Sequence, residues 1–186
     1  MKVIQLHNNS NKLIKAALKN KRSAQQALYE IYAPKMLSVC RYYIKDQENA
    51  EEVLLDGFFK VFTNLDQFKF KGSFEGWVRK IMIREAISFI RKQKQIEFVS
   101  DYENVTQVNL DFETSFETEQ LQSFIDNLPD GYKMVFVMNA IEGYKHAEIA
   151  EMLQISEGTS KSQLFKARQM LQTQIKELSA KTYEAK

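Results

Sequence analysis

Apolar residues recur at helical spacing over most of the 186-residue chain, and this pattern predicts an all-α protein. Between residues 11 and 45 it gives two helices. The second is capped by Ser23 and ended or kinked at Pro34, because proline removes an amide donor. A further helix then carries Met36 and Cys40, whose thiol we assign to the core. The remaining helices are predicted at 48–65, 74–93, 119–127, 130–141, 145–153 and 157–178.

Charge divides the chain into three parts. Residues 1–94 carry 18 Lys and Arg against 9 Asp and Glu, residues 95–120 carry 7 acids and no base, and residues 121–186 carry 8 of each. The acidic part also lacks a sustained helical period, which indicates a linker between two small helical domains, 1–94 and 121–186. The basic first domain favours a polyanionic partner. Composition alone leaves a simpler interpretation open, in which the acidic part is only a solvated loop.

Composition argues against several classes of function. One cysteine rules out a disulfide scaffold or a cysteine-cluster metal site, and the two histidines, His7 and His146, lie far apart in sequence. We therefore expect no catalytic residues, no metal and no cofactor, and we interpret His146 as a surface or phosphate-adjacent residue. No apolar run approaches the ~18–20 residues that span a membrane, and the N-terminus lacks the apolar core of a signal peptide. A soluble and, in a bacterium, cytoplasmic protein is expected.

The helix predicted at 48–65 has a mixed outer face. One side carries the apolar core positions at the helical spacing of about 100° per residue. The opposite side presents apolar Leu55 and Phe59 beside acidic Glu52 and Asp56. We call these four residues the outer face. Large apolar side chains flanked by acids are typical of a protein contact. The alternative is that another helix of the same domain covers Phe59.

The helix predicted at 74–93 carries a basic stripe on one arc. The members of this basic stripe are Trp77, Lys80, Arg84, Ser88 and Arg91, and Lys94 would extend it. Basic side chains neutralise phosphates and an indole stacks on an unpaired base, so the stripe predicts a nucleic-acid surface. The preceding loop adds Phe68, Phe70 and Phe74, interleaved with Lys69 and Lys71. The alternatives are a solvated basic face and, for Trp77, a place in the core.

Residues 145–171 read as helix, tight turn, helix. Ile149, Ala150 and Leu153 are spaced to pack two short helices across each other, and Ser156 is a good N-cap for the second. A second helix with a polar N-terminus and a basic flank can enter a major groove. The residues expected to contact DNA there are Thr159, Lys161, Ser162, Gln163 and Lys166. A plain helical hairpin within a bundle is the alternative.

Two blocks of the sequence resemble one protein family. LPDGYKMVFVMNAIEGYKHAEIAEMLQISEGTSKSQLFKAR closely resembles region 4 of bacterial sigma factors of the extracytoplasmic-function type. AEEVLLDGFFKVFTNLDQF, followed by GSFEGWVRKIMIREAISFIRK, resembles region 2 of the same family. The blocks stand in the family's order with a linker between them, and together they cover most of residues 24–175.

This resemblance implies a transcription initiation factor, not an enzyme, with core RNA polymerase and promoter DNA as partners and an anti-sigma protein as a candidate further partner. In the family, region 2 docks on polymerase and opens the −10 element, and region 4 reads the −35 element. The outer face then falls where the family contacts polymerase, and the basic stripe falls where it handles the −10 strand. The residues expected to contact DNA on the last helix fall where the family reads the −35 duplex.

The chain also departs from the family's usual pattern. The family usually has Gln-Glu at Leu55-Asp56, Asn at Arg84, Asp at Ser88, an apolar residue at Ser160 and Arg at Gln163. A more apolar polymerase contact and a less base-specific −10 contact are the expected consequences. Two further functions stay open at this point. One is a helix-turn-helix regulator that works without polymerase, and the other is a sigma-like decoy that binds polymerase but does not initiate.

Overall fold

The computed structural model describes residues 2–93, 98 and 118–184, and each regular element in these ranges is helical. The prediction of an all-α protein is therefore confirmed. The chain divides into two compact units, Met1–Phe89 and Ile90–Lys186. Nearly all of the predicted acidic linker, 95–120, lies outside the described residues. The helices are α1 (Lys2–Ala17), α2 (Arg22–Tyr43), α3 (Gln47–Thr63), α4 (Phe74–Gln93), α5 (Thr118–Asp126), α6 (Asp130–Phe136), α7 (His146–Leu153) and α8 (Glu157–Glu184).

The first unit is a helical bundle around an apolar core, with α1 and α3 packed on α2. Asp46 caps α3, because its carboxylate accepts the Asn49 backbone N–H at 2.9 Å. A short 3-10 turn, Leu65–Gln67, follows α3 before the loop that leads to α4. The core residues come from every helix of the bundle, and the largest fully buried ones include Ile14, Leu28, Met36, Tyr43, Leu65, Met82 and Ile83.

Helix α2 continues through Pro34 to Tyr43, so it does not end there, and the prediction of a further helix that carries Met36 and Cys40 is wrong. Residues on both sides of the proline are buried in one core, Leu28 before it and Met36 after it. Pro34 itself is exposed, which places its ring on the solvent side of the helix. Burial along the whole length of α2 thus outweighs the cost of one missing hydrogen bond. The expected cap is also wrong: the N-cap is Lys21, with no side-chain cap bond, and Ser23 lies inside the helix.

Cys40 lies in the core of the first unit, as predicted, and its side chain is fully buried. Burial removes the thiol from water, which disfavours the charged thiolate and raises the pKa of Cys40 to about 12. The thiol therefore behaves as a small apolar group at any physiological pH.

The second unit packs α6 and α7 against α8. Helix α6 runs into a single π-helical turn, Val137–Ile141, and the chain then turns at Gly143, whose φ is +76°. The turn between α7 and α8 contains Gln154 with φ 57°, in the left-handed region. The core of this unit includes Met134, Met138, Ile149, Leu153, Ala167 and Leu171.

The turn into α8 has the predicted cap. The Ser156 hydroxyl accepts the Thr159 backbone N–H at 2.9 Å, which satisfies one of the free amides at the start of the helix. Glu148 accepts the Lys145 backbone N–H at 2.8 Å at the start of α7. Residues 145–171 therefore form the helix, turn and helix that the sequence predicts.

Candidate protein and nucleic-acid interfaces

The outer face of α3 is open to solvent. Leu55 is 59% exposed and Phe59 is 70% exposed, and both Glu52 and Asp56 are exposed beside them. Core positions on the other side of the helix, such as Phe58, are buried. The alternative in which a helix of the same unit covers Phe59 is therefore wrong for the described residues. A phenylalanine and a leucine one turn apart form an apolar contact patch with two carboxylates at its border.

The basic stripe lies on an exposed side of α4. Lys80, Arg84 and Arg91 are exposed and Ser88 is half-buried, while Lys94 lies outside the described residues. The other side of α4 enters the core, where Val78, Met82, Ile83 and Ala86 are fully buried. Helix periodicity thus separates the cations from the core, as the sequence predicts.

The two acids of α4 are each paired with a lysine from another helix. Glu75 lies 3.1 Å from the Lys35 Nζ atom of α2, and Glu85 lies 2.6 Å from the Lys60 Nζ atom of α3. Each carboxylate is thus neutralised by a base outside α4. The positive charge of the basic stripe is left without a compensating acid on its own helix, which favours a polyanion at this surface.

Trp77 lies in a cluster of aromatic rings at the start of α4. Its ring centroid is 5.7 Å from that of Phe74, with the planes 30° apart, and 5.6 Å from that of Phe68. Trp77 is half-buried, so it is neither a fully buried core residue nor a free ring. Phe68 and Phe74 are buried, and they hold the indole in place at the end of the basic stripe.

Phe70 stands at the exposed edge of this cluster. It is 40% exposed, it lies 5.1 Å from Phe68 between ring centroids, and the Lys15 Nζ atom lies 5.9 Å from its ring. Its φ of 56° is in the left-handed region, which costs a bulky side chain of order 1–3 kcal/mol. The loop therefore holds a partly exposed ring next to the basic stripe in a conformation that local preference opposes.

The residues predicted to contact DNA on α8 differ in exposure. Lys161 is exposed and Lys166 is half-buried, but Thr159, Ser162 and Gln163 are buried. These three side chains, predicted from the sequence to contact DNA, are therefore not open to solvent. Local hydrogen bonds engage both hydroxyls: the Thr159 Oγ1 atom lies 2.8 Å from the Ser156 hydroxyl, and Ser162 donates to the Thr159 carbonyl at 3.0 Å. Their contact with DNA stays a prediction.

A polar contact between α7 and α8 was missed by the sequence reasoning. The Nδ1 atom of His146, the first residue of α7, lies 2.8 Å from the hydroxyl of fully buried Ser160 on α8. Burial of the ring lowers the pKa of His146, the positive charges of Lys161 and Arg168 lower it further, and Glu157 opposes them. The only signal in the sequence was a serine at an inward-facing position where an apolar residue was expected.

The described ranges meet the requirements of neither a membrane-spanning helix nor a metal site. No helix in the described ranges is long and apolar enough to cross a membrane. Within the same ranges, no three His, Cys, Asp or Glu side chains come together in a way that could hold a metal ion.

Two family models match this chain. A model described as Sigma-70 region 2 matches residues 28–96, and one described as Sigma-70, region 4 matches residues 118–171. Together they cover well over half of the chain, which belongs to the sigma-70 family of RNA polymerase sigma factors. Within that family it is of the extracytoplasmic-function type. It is a transcription initiation factor and not an enzyme; it binds core RNA polymerase and directs it to promoters.

Individual relatives extend the similarity over nearly the full length. The ECF RNA polymerase sigma factor SigW of Bacillus subtilis is 28% identical over 181 residues, which cover 90% of this chain and 97% of that one. The sigma factor SigV of the same organism is 28% identical over 133 residues, 72% of this chain and 80% of that one. The sigma factor RpoE of Bartonella quintana, solved with the anti-sigma factor NepR, matches with a TM-score of 0.55 at 17% identity, over 81% of this chain and 96% of that one. The last similarity shows the shared fold.

Proposed function

We propose that the outer face of α3, the basic stripe of α4 and helix α8 have separate roles in transcription initiation. The outer face of α3 binds core RNA polymerase. The basic stripe, with the aromatic cluster at its head, holds the opened −10 strand. Helix α8 reads the −35 element, with Lys161 and Lys166 on phosphates. Since polymerase and promoter DNA are both cytoplasmic in a bacterium, we place the protein in the cytoplasm.

The exposure of Phe59 is the observation that carries the polymerase assignment. A phenylalanine that is 70% exposed on a helix whose other side is buried leaves a large apolar area in water. Burying most of such a ring in an interface is worth roughly 1.5–3 kcal/mol. Leu55 lies one turn away and adds to the same patch, while Asp56 and Glu52 restrict the patch to a partner with basic groups at its border.

The charge and the rings of α4 support the −10 assignment. Single-stranded DNA binds where a row of cations follows the backbone and aromatic rings stack on unpaired bases. Lys80 and Arg84 supply cations on one exposed arc, while the guanidinium of Arg91 donates to the Leu153 carbonyl at 2.7 Å. Trp77 and Phe70 supply partly exposed rings at one end of that arc.

Helix α8 is supported as the −35 reader by its place in the helix-turn-helix and by its charge. The Ser156 cap fixes the start of the helix, and exposed Lys161 lies one turn beyond it. A capped helix N-terminus with a nearby lysine attracts a phosphate both through its amides and through the side-chain charge.

The polymerase assignment is tested with a double variant of the outer face, Phe59→Ala with Asp56→Arg. We expect it to weaken binding to core RNA polymerase about tenfold or more in a fluorescence anisotropy titration, with unchanged circular dichroism. The matched control is Phe70→Ala with Asp66→Arg, which changes the same residue types at exposed positions of the same unit outside α3. Equal affinity of the two variants for core polymerase would refute the assignment.

A further inference from the structure

The contact between His146 and Ser160 is a directional link between the two helices of the helix-turn-helix. Ile149 and Leu153 also attach α7 to the unit's core, but apolar contacts are non-directional and allow small rotations. A hydrogen bond fixes both a distance and an angle. The 2.8 Å bond joins the first residue of α7 to the fourth residue of α8, so it fixes the relative rotation of the two helices near the end that faces DNA.

We infer that His146 is a positioning residue for DNA reading: its hydrogen bond to Ser160 sets the angle at which α8 meets the −35 element. This inference rests on the proposed function of α8.

Burial makes this link costly to break. Ser160 is fully buried, and the structure gives its hydroxyl a hydrogen bond with His146. The Ser160 backbone N–H is already bonded to the Ser156 carbonyl at 3.0 Å. A buried hydroxyl that loses its partner must recover one by moving, because leaving it unpaired is unfavourable. Removing the imidazole removes this link: the hydroxyl then turns to a backbone carbonyl of its own helix, and no polar contact at this point fixes α8 relative to α7.

The link also depends on protonation of the ring. A neutral imidazole can accept the Ser160 hydroxyl proton at Nδ1, whereas a protonated ring donates from both nitrogens and forces that hydroxyl to find another acceptor. The charged groups that act on the ring are Lys161, Arg168 and Glu157, all on α8. Burial and the two α8 cations hold the pKa of His146 below its ordinary value of 6.5. Above this lowered pKa the neutral ring can accept from the Ser160 hydroxyl at Nδ1. Below it the bond changes direction, because the protonated Nδ1 donates to the Ser160 oxygen and the hydroxyl hydrogen must turn to a different acceptor.

The test uses the holoenzyme, reconstituted from core polymerase and the full chain. The probe is a fluorescent duplex that the wild-type holoenzyme has selected from a library randomised at the −35 element, together with a scrambled duplex. The measured quantity is the dissociation constant for the scrambled duplex divided by that for the selected duplex, at pH 7.5. We expect His146→Ala to lower this ratio about tenfold, while the affinity for the scrambled duplex stays the same.

Two further variants separate positioning from simple loss of packing. His146→Asn offers an amide near the position of Nδ1 that does not titrate, and we expect it to restore the ratio to within about threefold of wild type. An NMR titration of the ring locates the pKa of His146; the wild-type ratio should change as the pH falls through that pKa, while the ratio of His146→Asn should stay flat over the same range. His146→Phe with Ser160→Val, which makes both partners apolar, should keep the fold, because it leaves no unpaired hydroxyl.

Either of two results would overturn the inference. One is that the wild-type holoenzyme distinguishes the two duplexes and the His146→Ala holoenzyme gives the same ratio. The other is the same pH profile for wild type and His146→Asn. A wild-type holoenzyme that does not distinguish the two duplexes, or a Lys161→Ala variant with undiminished affinity for both, would instead refute the assignment of α8 to the −35 element.

Discussion

Gly57 of α3 lies directly against Met82 of α4, with no room for a side chain between them. A Cβ atom at position 57 would come within 2.9 Å of the Met82 Cε atom and closer still to its sulfur. Both residues are buried. This crossing joins the helix that carries the outer face to the helix that carries the basic stripe, so it fixes the distance between the two proposed surfaces of the first unit.

We expect Gly57→Ala to destabilise the first unit by about 1 kcal/mol. The added methyl group must displace the Met82 side chain, and overpacking of this kind costs roughly 1–3 kcal/mol. The better helix propensity of alanine returns about 1 kcal/mol of this cost. Urea unfolding followed by the fluorescence of Trp77, which is the single tryptophan of the chain, reports on this unit.

Gly76→Ala is the matched control for this prediction. A Cβ atom at position 76 would have its nearest neighbour at 3.7 Å, which is ordinary van der Waals contact. The same substitution on exposed Gly76 of α4 should leave stability unchanged or raise it by up to about 1 kcal/mol. A Gly57→Ala chain as stable as the Gly76→Ala chain would show that the crossing accepts a methyl group.

The helices and their buried faces could be predicted from the sequence because each helix has one face in a core and one in water. Apolar spacing alone located the buried side of α3, including Phe58, and left Phe59 outside. The same rule failed at Pro34, since the propensity of one residue was weighed without the core contacts that hold α2 on both sides of it. Local preference is a weak guide where a whole helix is buried along its length.

The proposed sites could be predicted only in part. Helical spacing gives the side of the helix on which a residue lies, but it does not give the residue's hydrogen-bond or ion-pair partners. The exposure of Lys80, Arg84 and Arg91 follows from helical spacing. The burial of Thr159 and its bond to Ser156 do not, since they depend on how a turn closes. The ion pairs between the two acids of α4 and lysines on other helices cannot be predicted from helical spacing either, because they join residues far apart in sequence.

The buried thiol of Cys40 should be unreactive in the native protein. Its pKa of about 12 leaves almost no thiolate at pH 8, and the side chain is fully buried. A disulfide reagent such as DTNB should therefore react only after the first unit opens, and its rate should rise when Gly57→Ala lowers the stability of that unit. Labelling in concentrated urea should give one thiol per chain. Rapid labelling of the folded wild type would contradict the core assignment.

Gln154 should limit the stability of the second unit, because it occupies the left-handed region at φ 57° and ψ 44°. Glycine adopts this conformation without a Cβ penalty, and we expect Gln154→Gly to stabilise the helix-turn-helix by about 0.5–1 kcal/mol. Native-state hydrogen exchange of amides in α7 and α8 measures this gain. Gln154→Ala keeps the Cβ atom and should give no such gain. Equal protection in the two variants would mean that the turn is not strained by its side chain.

Arg84 should hold the opened −10 strand by charge more than by base identity. It is exposed on the basic stripe, one turn from Lys80. A guanidinium grips phosphate or stacks on a ring, whereas asparagine can make paired hydrogen bonds to a base. Arg84→Asn should therefore reduce open-complex formation most at low salt and lower the salt-dependence slope by about 0.7, the value for one single-strand phosphate contact.

Permanganate footprints of the holoenzyme on a panel of −10 variants at two salt concentrations measure both effects. Lys45→Asn, which removes an exposed charge outside α4, should leave them unchanged. A loss confined to one base substitution and indifferent to salt would show that Arg84 reads sequence directly.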